Sequence, residues 1–245
     1  MNAISHNRYT EAWASLGKRF AKPKAILAIS AHWYIRGTAV TAMPKPPVIH
    51  DFGGFPQALH AFDYPAPGDP ALAARVKSLL APLPVRLDDE WGLDHGTWSV
   101  LTHAYPEADV PIVQLSIDGT QPARFHYEVG QRIAPLRDEG IMLVGSGNVV
   151  HNLRLIRRAD DHAYQWAVQF NETMREYIEK NDHARLVRYE ELGASAQMSV
   201  PTPEHFLPLL YIAGARRDDD TTTILVDGLE MASISMMSVL YAADK

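Results

Sequence analysis

The feature that most constrains the fold is an apolar run, Ala-Ile-Leu-Ala-Ile-Ser at residues 25–30, which leads directly into Ala-His-Trp. Such a run between a Lys-Pro-Lys loop and a polar turn predicts a buried strand, as in parallel sheets that are covered on both faces. Ligand-binding and catalytic groups of open α/β sheets lie just beyond the carboxyl ends of such strands. We therefore expect His32 to follow this strand as a metal ligand or a catalytic base.

Strand-like and helix-like patterns alternate along most of the chain. Apolar and β-branched runs predict strands at residues 25–30, 38–43, 84–87, 110–117, 141–144, 221–226 and 233–239. Helical spacing of apolar residues predicts helices at residues 11–20, 70–80, 97–105, 122–137, 164–180, 183–190 and 201–214, with Thr10 and Asp69 capping the first two. This alternation predicts an α/β fold: a single domain over residues 1–245, with a central mixed, mostly parallel sheet flanked by helices and a metal pocket at the carboxyl ends of its strands.

Charge and cysteine content narrow the classes of partner. The chain has 23 Lys and Arg against 29 Asp and Glu, a net charge of −6, without a basic stripe, which argues against nucleic acid and anionic membranes as partners. There is no cysteine, so a metal site has to use His, Asp and Glu. The chain has no signal-peptide pattern and no apolar run of about 20 residues, so we expect a soluble, cytoplasmic protein with a small-molecule substrate. The sequence indicates no oligomeric state.

Three further histidines occupy positions like that of His32. His95 and His151 each follow a predicted strand, and His205 lies at the start of a predicted helix. Neutral imidazole suits Fe, Zn, Ni and Cu, and a site with two or three protein ligands leaves positions open for substrate or oxygen. The pattern predicts a mononuclear metal enzyme. The alternative for each ring is that it caps a loop by hydrogen bonding.

Glu204 and the other seven histidines are expected to have structural roles. Glu204 precedes His205 directly, and successive helical residues point about 100° apart, so only one of the two is expected to face a given site. We favour His205 and expect Glu204 to interact with the helix dipole. The other histidines are expected on the surface or in loops: His6, His50, His60, His103, His126, His162 and His183.

The Gly-Ser-Gly-Asn segment at residues 145–148 does not match a cofactor or nucleophile motif. It lacks the Lys-Ser/Thr of a P-loop and the spacing of a dinucleotide fingerprint. It also lacks the flanking glycine spacing of a nucleophile elbow. The sequence therefore argues against a nucleotide cofactor and against a serine hydrolase.

A long segment at residues 50–68 contains too much Gly and Pro for a regular element. Loops of this length in compact domains are usually functional or disordered, and the aromatic residues of this one argue against disorder. We expect residues 51–67 to form part of a pocket wall, with Phe55 and Tyr64 binding a planar substrate. The alternative is an ordered loop that only covers the sheet.

Six segments together carry a resemblance to a known family. They are Ser-Ala-His-Trp at 30–33, His-Asp-Phe-Gly-Gly-Phe-Pro at 50–56, Tyr-Pro-Ala-Pro-Gly at 64–68, Asp-His-Gly-Thr-Trp at 94–98, Gly-Asn-Val-Val-His-Asn at 147–152 and Pro-Thr-Pro-Glu-His-Phe at 201–206. They are spread over nearly the whole chain. By them the sequence resembles the class III extradiol ring-cleavage dioxygenases, in the bacterial and plant DOPA-4,5-dioxygenase subgroup.

The resemblance implies an enzyme with a non-haem metal, Fe(II) for activity and sometimes Zn in the purified protein. Such an enzyme inserts both atoms of O₂ into a catechol beside its two hydroxyls and forms a muconic semialdehyde. It also implies that His32 and His205 are metal ligands and that His151 is a ligand or an acid/base. His95 would contact a substrate hydroxyl.

The beginning of the chain departs from the family pattern. The family normally starts with a strand that ends in His-Gly-Ser-Pro-Met, whose histidine is a metal ligand, whereas this chain starts at Met-Asn-Ala. A site with one ligand fewer is expected to bind Fe(II) more weakly. We expect that a strand-forming extension ending in His-Gly-Ser-Pro would raise both melting temperature and Fe(II) occupancy.

Two other functions use the same residues. A zinc hydrolase would use the histidines to lower the pKa of bound water and would need no O₂. A relative of the family that has lost its metal would act as a binding protein. Metal analysis and O₂ uptake distinguish the three.

Overall fold

A computed structural model describes residues 2–54, 56–157 and 162–243. Its α-helices are α1 (Arg8–Arg19), α2 (Gln57–His60), α3 (Pro70–Leu80), α4 (His95–Ala104), α5 (Ala123–Ile133), α6 (Gln165–Glu179), α7 (His183–Val187), α8 (Ala194–Ser199) and α9 (Leu207–Gly214). Its strands are β1 (Ala25–Ile35), β2 (Thr38–Thr41), β3 (Val85–Asp88), β4 (Ile112–Asp118), β5 (Ile141–Ser146), β6 (Asp220–Val226), β7 (Leu229–Glu230), β8 (Ile234–Ser235) and β9 (Ser238–Ala243).

The chain divides into two compact units. The first comprises Met1–Gln121 and Arg132–Ser146, and the second comprises Pro122–Gln131 and Gly147–Lys245. That the whole chain acts as one domain remains a prediction. Within the part that the structure describes, no helix is both long and apolar enough to cross a bilayer.

The first unit is built on a five-stranded sheet in the order β3-β2-β4-β1-β5. β1 runs parallel to β4 and β5, and β2 runs parallel to β3 but antiparallel to β4. The prediction of a central, mixed and mostly parallel sheet is therefore confirmed. Residues 25–29 of β1 and all of β4 are buried, as expected for inner strands covered on both faces.

His32 lies inside β1 rather than beyond it, which corrects the prediction that the strand ends at Ser30. The register of β1 with β4 is regular to Ile29, becomes irregular, and resumes at Tyr34, while pairing with β5 extends to Ser30. Irregularities of this kind turn side chains away from the regular alternation and are frequent next to active sites. The apolar run therefore located the histidine, but it did not reveal the irregular continuation of the strand.

Capping residues account for the helix starts in the first unit. Asp69 caps α3 by accepting a hydrogen bond from the Leu72 N–H, as predicted. α1 begins earlier than predicted, because Asn7 is its cap and Thr10 is the third residue of a capping box. α4 begins at His95 instead of Thr97, because the side chain of Asp94 caps it.

The second unit is mainly helical, with two small antiparallel ribbons. α6 buries Phe170, Met174 and Ile178, which recur at helical spacing. β6 pairs with β9, and β7 pairs with β8. The strand predicted at residues 233–239 is therefore two strands in different ribbons.

Several predicted helices of the chain are shorter than expected, for local reasons. The helix predicted at residues 122–137 changes at Ile133 into a 3₁₀ turn that has Pro135 in its first turn. The helix predicted at 201–214 consists of a 3₁₀ turn (Pro203–His205) followed by α9, in whose first turn Pro208 lies. The helix predicted at 183–190 ends at Val187, and α8 was not predicted at all.

Candidate active site

The first unit carries a cluster of two imidazole rings on one carboxylate. His32 Nδ1 lies 3.0 Å from Asp51 Oδ2, and His95 Nδ1 lies 2.8 Å from Asp51 Oδ1. The backbone N–H of His95 also donates to Asp51 Oδ1, at 3.0 Å. The centroids of the two rings are 3.9 Å apart. The three side chains are 17–24% exposed, so the cluster is largely buried but remains accessible.

The start of α4 is packed directly against β1, which brings the two rings together. A Cβ on Gly96 would lie 2.9 Å from His32 Cδ2 and 2.5 Å from Ser30 Oγ, so this approach requires glycine. The buried Asp94 accepts a hydrogen bond from Gln114 Nε2 of β4 at 2.8 Å, and its own N–H donates to Gln114 Oε1. The helix start is thus fixed to the centre of the sheet.

Burial by itself would raise the pKa of Asp51. The hydrogen bonds from His32 and His95, including the His95 backbone N–H, outweigh burial and hold the pKa of this carboxyl well below its usual range. Asp51 is therefore a carboxylate that only accepts hydrogen bonds at neutral pH.

The segment at residues 50–68 is fixed to α4 by aromatic contacts. The Phe52 ring meets His95 edge-on at a centroid distance of 5.3 Å, and Phe62 stacks on Trp98 at 5.1 Å. Trp98 Nε1 donates to the Ile49 carbonyl oxygen at 3.0 Å. The described residues of this segment thus pack beside the histidines, in agreement with its aromatic content. The expectation that the segment has no regular element is wrong, because it contains the short helix α2.

Tyr64 is part of the hydrophobic core of the first unit. It is 2% exposed, and its hydroxyl donates to the carbonyl oxygen of Tyr105 at 2.8 Å. The same burial raises the pKa of this phenol above its usual value. For Tyr64 the structure therefore favours the alternative interpretation, a residue that helps the loop cover the sheet. Phe55, the other predicted substrate contact, lies outside the described residues.

The second unit carries a different histidine cluster. The rings of His151 and His205 are stacked, with centroids 3.4 Å apart and planes 11° apart. Glu204 lies next to these rings. If one nitrogen or oxygen atom that could bind a metal is taken from each of His151, Glu204 and His205, the three atoms lie within 4.8 Å of one another. Two imidazoles and a carboxylate form a donor set that suits Fe(II) or Zn(II).

The Gly-rich segment after β5 positions His205. A Cβ on Gly147 would overlap the His205 carbonyl oxygen, and the next N–H, of Asn148, donates to that oxygen at 2.8 Å. The amide of Asn148 contacts His205 Nδ1 through Oδ1 at 3.0 Å. The backbone N–H of His151 donates to the Ser199 carbonyl oxygen at 2.8 Å. The Gly-Ser-Gly-Asn segment at residues 145–148, which matched no cofactor pattern, thus holds His205 of this cluster in place.

Two sequence expectations about neighbouring residues need correction. Glu204 and His205 both contribute to the second cluster, although neighbouring residues of their 3₁₀ turn point about 120° apart. The exclusion of Glu204 considered only the directions in which the side chains leave the backbone, whereas ligand-capable atoms of the two side chains lie within 4.8 Å of each other. His126 is neither a surface nor a loop residue. It lies in α5, is fully buried, and its Nδ1 is 2.9 Å from Tyr211 Oη.

The structure brings the predicted residues together in pairs, His32 with His95 and His151 with His205. That His32, His151 and His205 bind one metal and that His95 contacts the substrate remain predictions. Sequence reasoning missed Asp51 and Asn148, which hold the rings. The available signal was an acidic residue directly after His50 in an aromatic, Gly-rich loop, and an amide inside the Gly-rich turn before His151.

Comparison with known proteins identifies the family of the chain. The profile of the family described as the catalytic LigB subunit of aromatic ring-opening dioxygenase matches residues 4–241. A protein of Escherichia coli (strain K12) named 4,5-DOPA dioxygenase extradiol is 54% identical over 98% of this chain and 90% of its own length. A Beta vulgaris protein of the same name is 37% identical over 89% of this chain and 82% of its own length.

A solved structure gives the same result for the fold. The crystal structure of an uncharacterized Escherichia coli K12 protein superposes with a TM-score of 0.83 at 48% identity, covering 96% of this chain and 93% of that one. The family profile covers nearly the whole chain, the two relatives are similar to it in sequence, and the solved structure is similar to it in both sequence and fold. The chain belongs to the LigB family of extradiol aromatic ring-opening dioxygenases.

Proposed function

We propose that this enzyme opens the ring of a catechol such as DOPA, with O₂ as the co-substrate and a mononuclear non-haem metal as the cofactor. Two relatives named 4,5-DOPA dioxygenase extradiol, at 54% and 37% identity, support this substrate class. The observation that carries the proposal is the His32–His95 pair on the carboxylate of Asp51. A carboxylate on the second ring nitrogen is the common arrangement of a metal-binding histidine.

Three histidines are the proposed metal ligands: His32, His151 and His205. Imidazole nitrogen suits both Fe(II), the metal proposed for activity, and Zn(II), which the purified protein could carry. Bound Fe(II) supplies the one-electron chemistry that allows O₂ to react with a catechol. The rings of His32 and His205 are each oriented through Nδ1, by Asp51 and Asn148 respectively.

The remaining roles concern protons and substrate contacts. We assign His95 to a substrate hydroxyl, whose proton the unprotonated nitrogen of a neutral imidazole can accept. The alternative role of His151 is that of an acid/base, which returns a proton during ring opening. Phe52 gives the His95 ring an apolar neighbour, and Phe55 stays a proposed substrate contact. Tyr64 is left out because it is buried in the core.

The overall reaction balances without a further reductant. One ring carbon–carbon bond beside the two hydroxyl-bearing carbons breaks, and both atoms of O₂ enter the product. A catechol and one O₂ thus give one muconic semialdehyde.

Anaerobic loading with Fe(II), followed by a panel of catechols, tests the proposal. We expect O₂ uptake in a one-to-one ratio with substrate and a yellow semialdehyde product, with DOPA among the substrates that react. A catechol blocked by methylation of one hydroxyl is the matched control and should not react. Substrate turnover without O₂ uptake would indicate hydrolysis, and catechol binding without turnover would indicate a binding protein; either result contradicts the proposal.

A further inference from the structure

Asp51 makes three contacts that are not distributed evenly over its two oxygens. Oδ1 accepts from the His95 backbone N–H at 3.0 Å and contacts His95 Nδ1 at 2.8 Å. Oδ2 contacts His32 Nδ1 at 3.0 Å. Since a carboxylate has no proton to donate, each ring has to supply its Nδ1–H to Asp51. In a neutral imidazole the lone pair then lies on Nε2.

We propose that Asp51 is a positioning residue that sets the tautomer of two histidines at once, so that His32 and His95 both present an unprotonated Nε2. The tautomers follow from the contacts of Asp51 alone. Their use rests on the proposed function: His32 Nε2 binds the metal, and His95 Nε2 accepts the proton of a substrate hydroxyl. One carboxylate thereby prepares a ligand and a base.

The uneven contacts make Asp51→Asn a selective probe. An amide has one accepting oxygen and one donating nitrogen. The His95 backbone N–H can only donate, so the amide oxygen has to stay on His95. The amide nitrogen then faces His32 Nδ1, which must accept, and the His32 proton moves to Nε2. We therefore expect the variant to reverse the tautomer of His32 and to leave that of His95 unchanged.

Proton–nitrogen correlation spectra of the full-length chain, labelled with nitrogen-15 histidine, report both tautomers. They are recorded after chelation of metal at about pH 8, where histidines are mostly neutral, with resonances assigned through His32→Gln and His95→Gln. We expect Nδ1–H on both rings in the wild type, and Nε2–H on His32 alone in Asp51→Asn. Zn(II) affinity should fall about 10- to 100-fold in the variant, the usual cost of losing the partner of a ligating histidine.

Glu11→Gln is the matched control. Glu11 contacts the exposed His6 at 3.3 Å, so this change removes a carboxylate–histidine pair of similar chemistry elsewhere in the first unit. Neither tautomers nor Zn(II) affinity should change. Circular dichroism establishes that each variant is folded; if Asp51→Asn does not fold, the wild-type spectrum still decides, because Nε2–H on either ring overturns the inference.

The outcomes separate this inference from the proposed function. The expected tautomers without ring cleavage in the catechol panel would contradict the proposed function and leave the role of Asp51 intact. Ring cleavage together with an unchanged His32 tautomer in Asp51→Asn would contradict the role of Asp51 and leave the proposed function intact.

Discussion

The two histidine clusters differ in the groups that orient their imidazole rings. In the first unit a partly buried carboxylate holds two tilted rings, whereas in the second unit two stacked rings are held by backbone contacts and one amide. The amide orientation is itself fixed, because Asn148 Nδ2 donates to the Ser235 carbonyl oxygen at 2.7 Å and so leaves Oδ1 for His205 Nδ1. Hydrogen bonds to a charged group contribute about 1.5–3 kcal/mol, against about 0.5–1.5 kcal/mol for neutral pairs. The comparison indicates that the first cluster is held more rigidly.

The largest effect is expected at His151, the proposed acid/base of the second cluster. Replacing it with Ala or Phe should lower turnover about 10²-fold or more in the Fe(II)-loaded enzyme, the scale of a positioned acid/base. Steady-state O₂ uptake with metal content measured in parallel checks this. His6→Ala, at a side chain that is 87% exposed, is the control and should retain activity. Full activity in a metal-loaded His151 variant would remove this residue from the mechanism.

Glycine contacts hold both clusters, and alanine should disturb each one separately. A Cβ at Gly96 would collide with Ser30 and His32, and one at Gly147 would collide with His205. Overpacking of this kind typically costs about 1–3 kcal/mol in the free energy of unfolding. Urea titration of Gly96→Ala and Gly147→Ala should show this loss, while Gly53→Ala, whose Cβ would have no atom within 4 Å, should not. Equal stability in all three variants would show that the close approaches are not needed.

Asn148→Ala tests whether the neutral partner of His205 contributes less to metal binding than Asp51, the charged partner of His32. It removes the acceptor of His205 Nδ1 without leaving a buried charge, so Zn(II) affinity should fall about tenfold, at the low end of the range for such partners. Competition with a chelator measures this directly against Asp51→Asn. A larger loss in Asn148→Ala than in Asp51→Asn would reverse the order of rigidity inferred for the two clusters.

The smallest effect is expected from His183, a histidine outside both clusters. Burial, followed by the nearby charge of Arg216, lowers the pKa of His183, and Tyr127 Oη lies 3.0 Å from its Nδ1. A pKa lowered by folding means that the unfolded chain binds the proton more readily. The contribution to stability is therefore complete above about pH 6.5 and is lost as pH falls toward the lowered value. Urea titrations between about pH 7 and 5 should show a shallower decline in His183→Gln; an identical slope would contradict this.

Sequence patterns predicted those structural elements that depend on interactions between residues close together in the chain. The apolar run at residues 25–30 predicted an inner strand, and Asp69 before a proline predicted the start of α3. Tyr64 could not be assigned from sequence, because a Gly- and Pro-rich loop has no periodicity to indicate which side chains are buried. Helix ends near Pro135 and Pro208 were misplaced because the change from α to 3₁₀ depends on hydrogen bonds that apolar spacing does not report.

The sequence by itself determined the α/β class, the four histidines and, through six motifs, the resemblance to a family. These depend on residue type and short-range spacing. Only the tertiary structure decided which histidines are partners and what holds them. Asp51 reaches His32 and His95 because the next residue, Phe52, packs against His95 and Trp98 of α4. Gly96 in turn allows the start of α4 to approach β1. Such contacts join residues that are far apart in the chain, so they depend on packing and not on any local pattern.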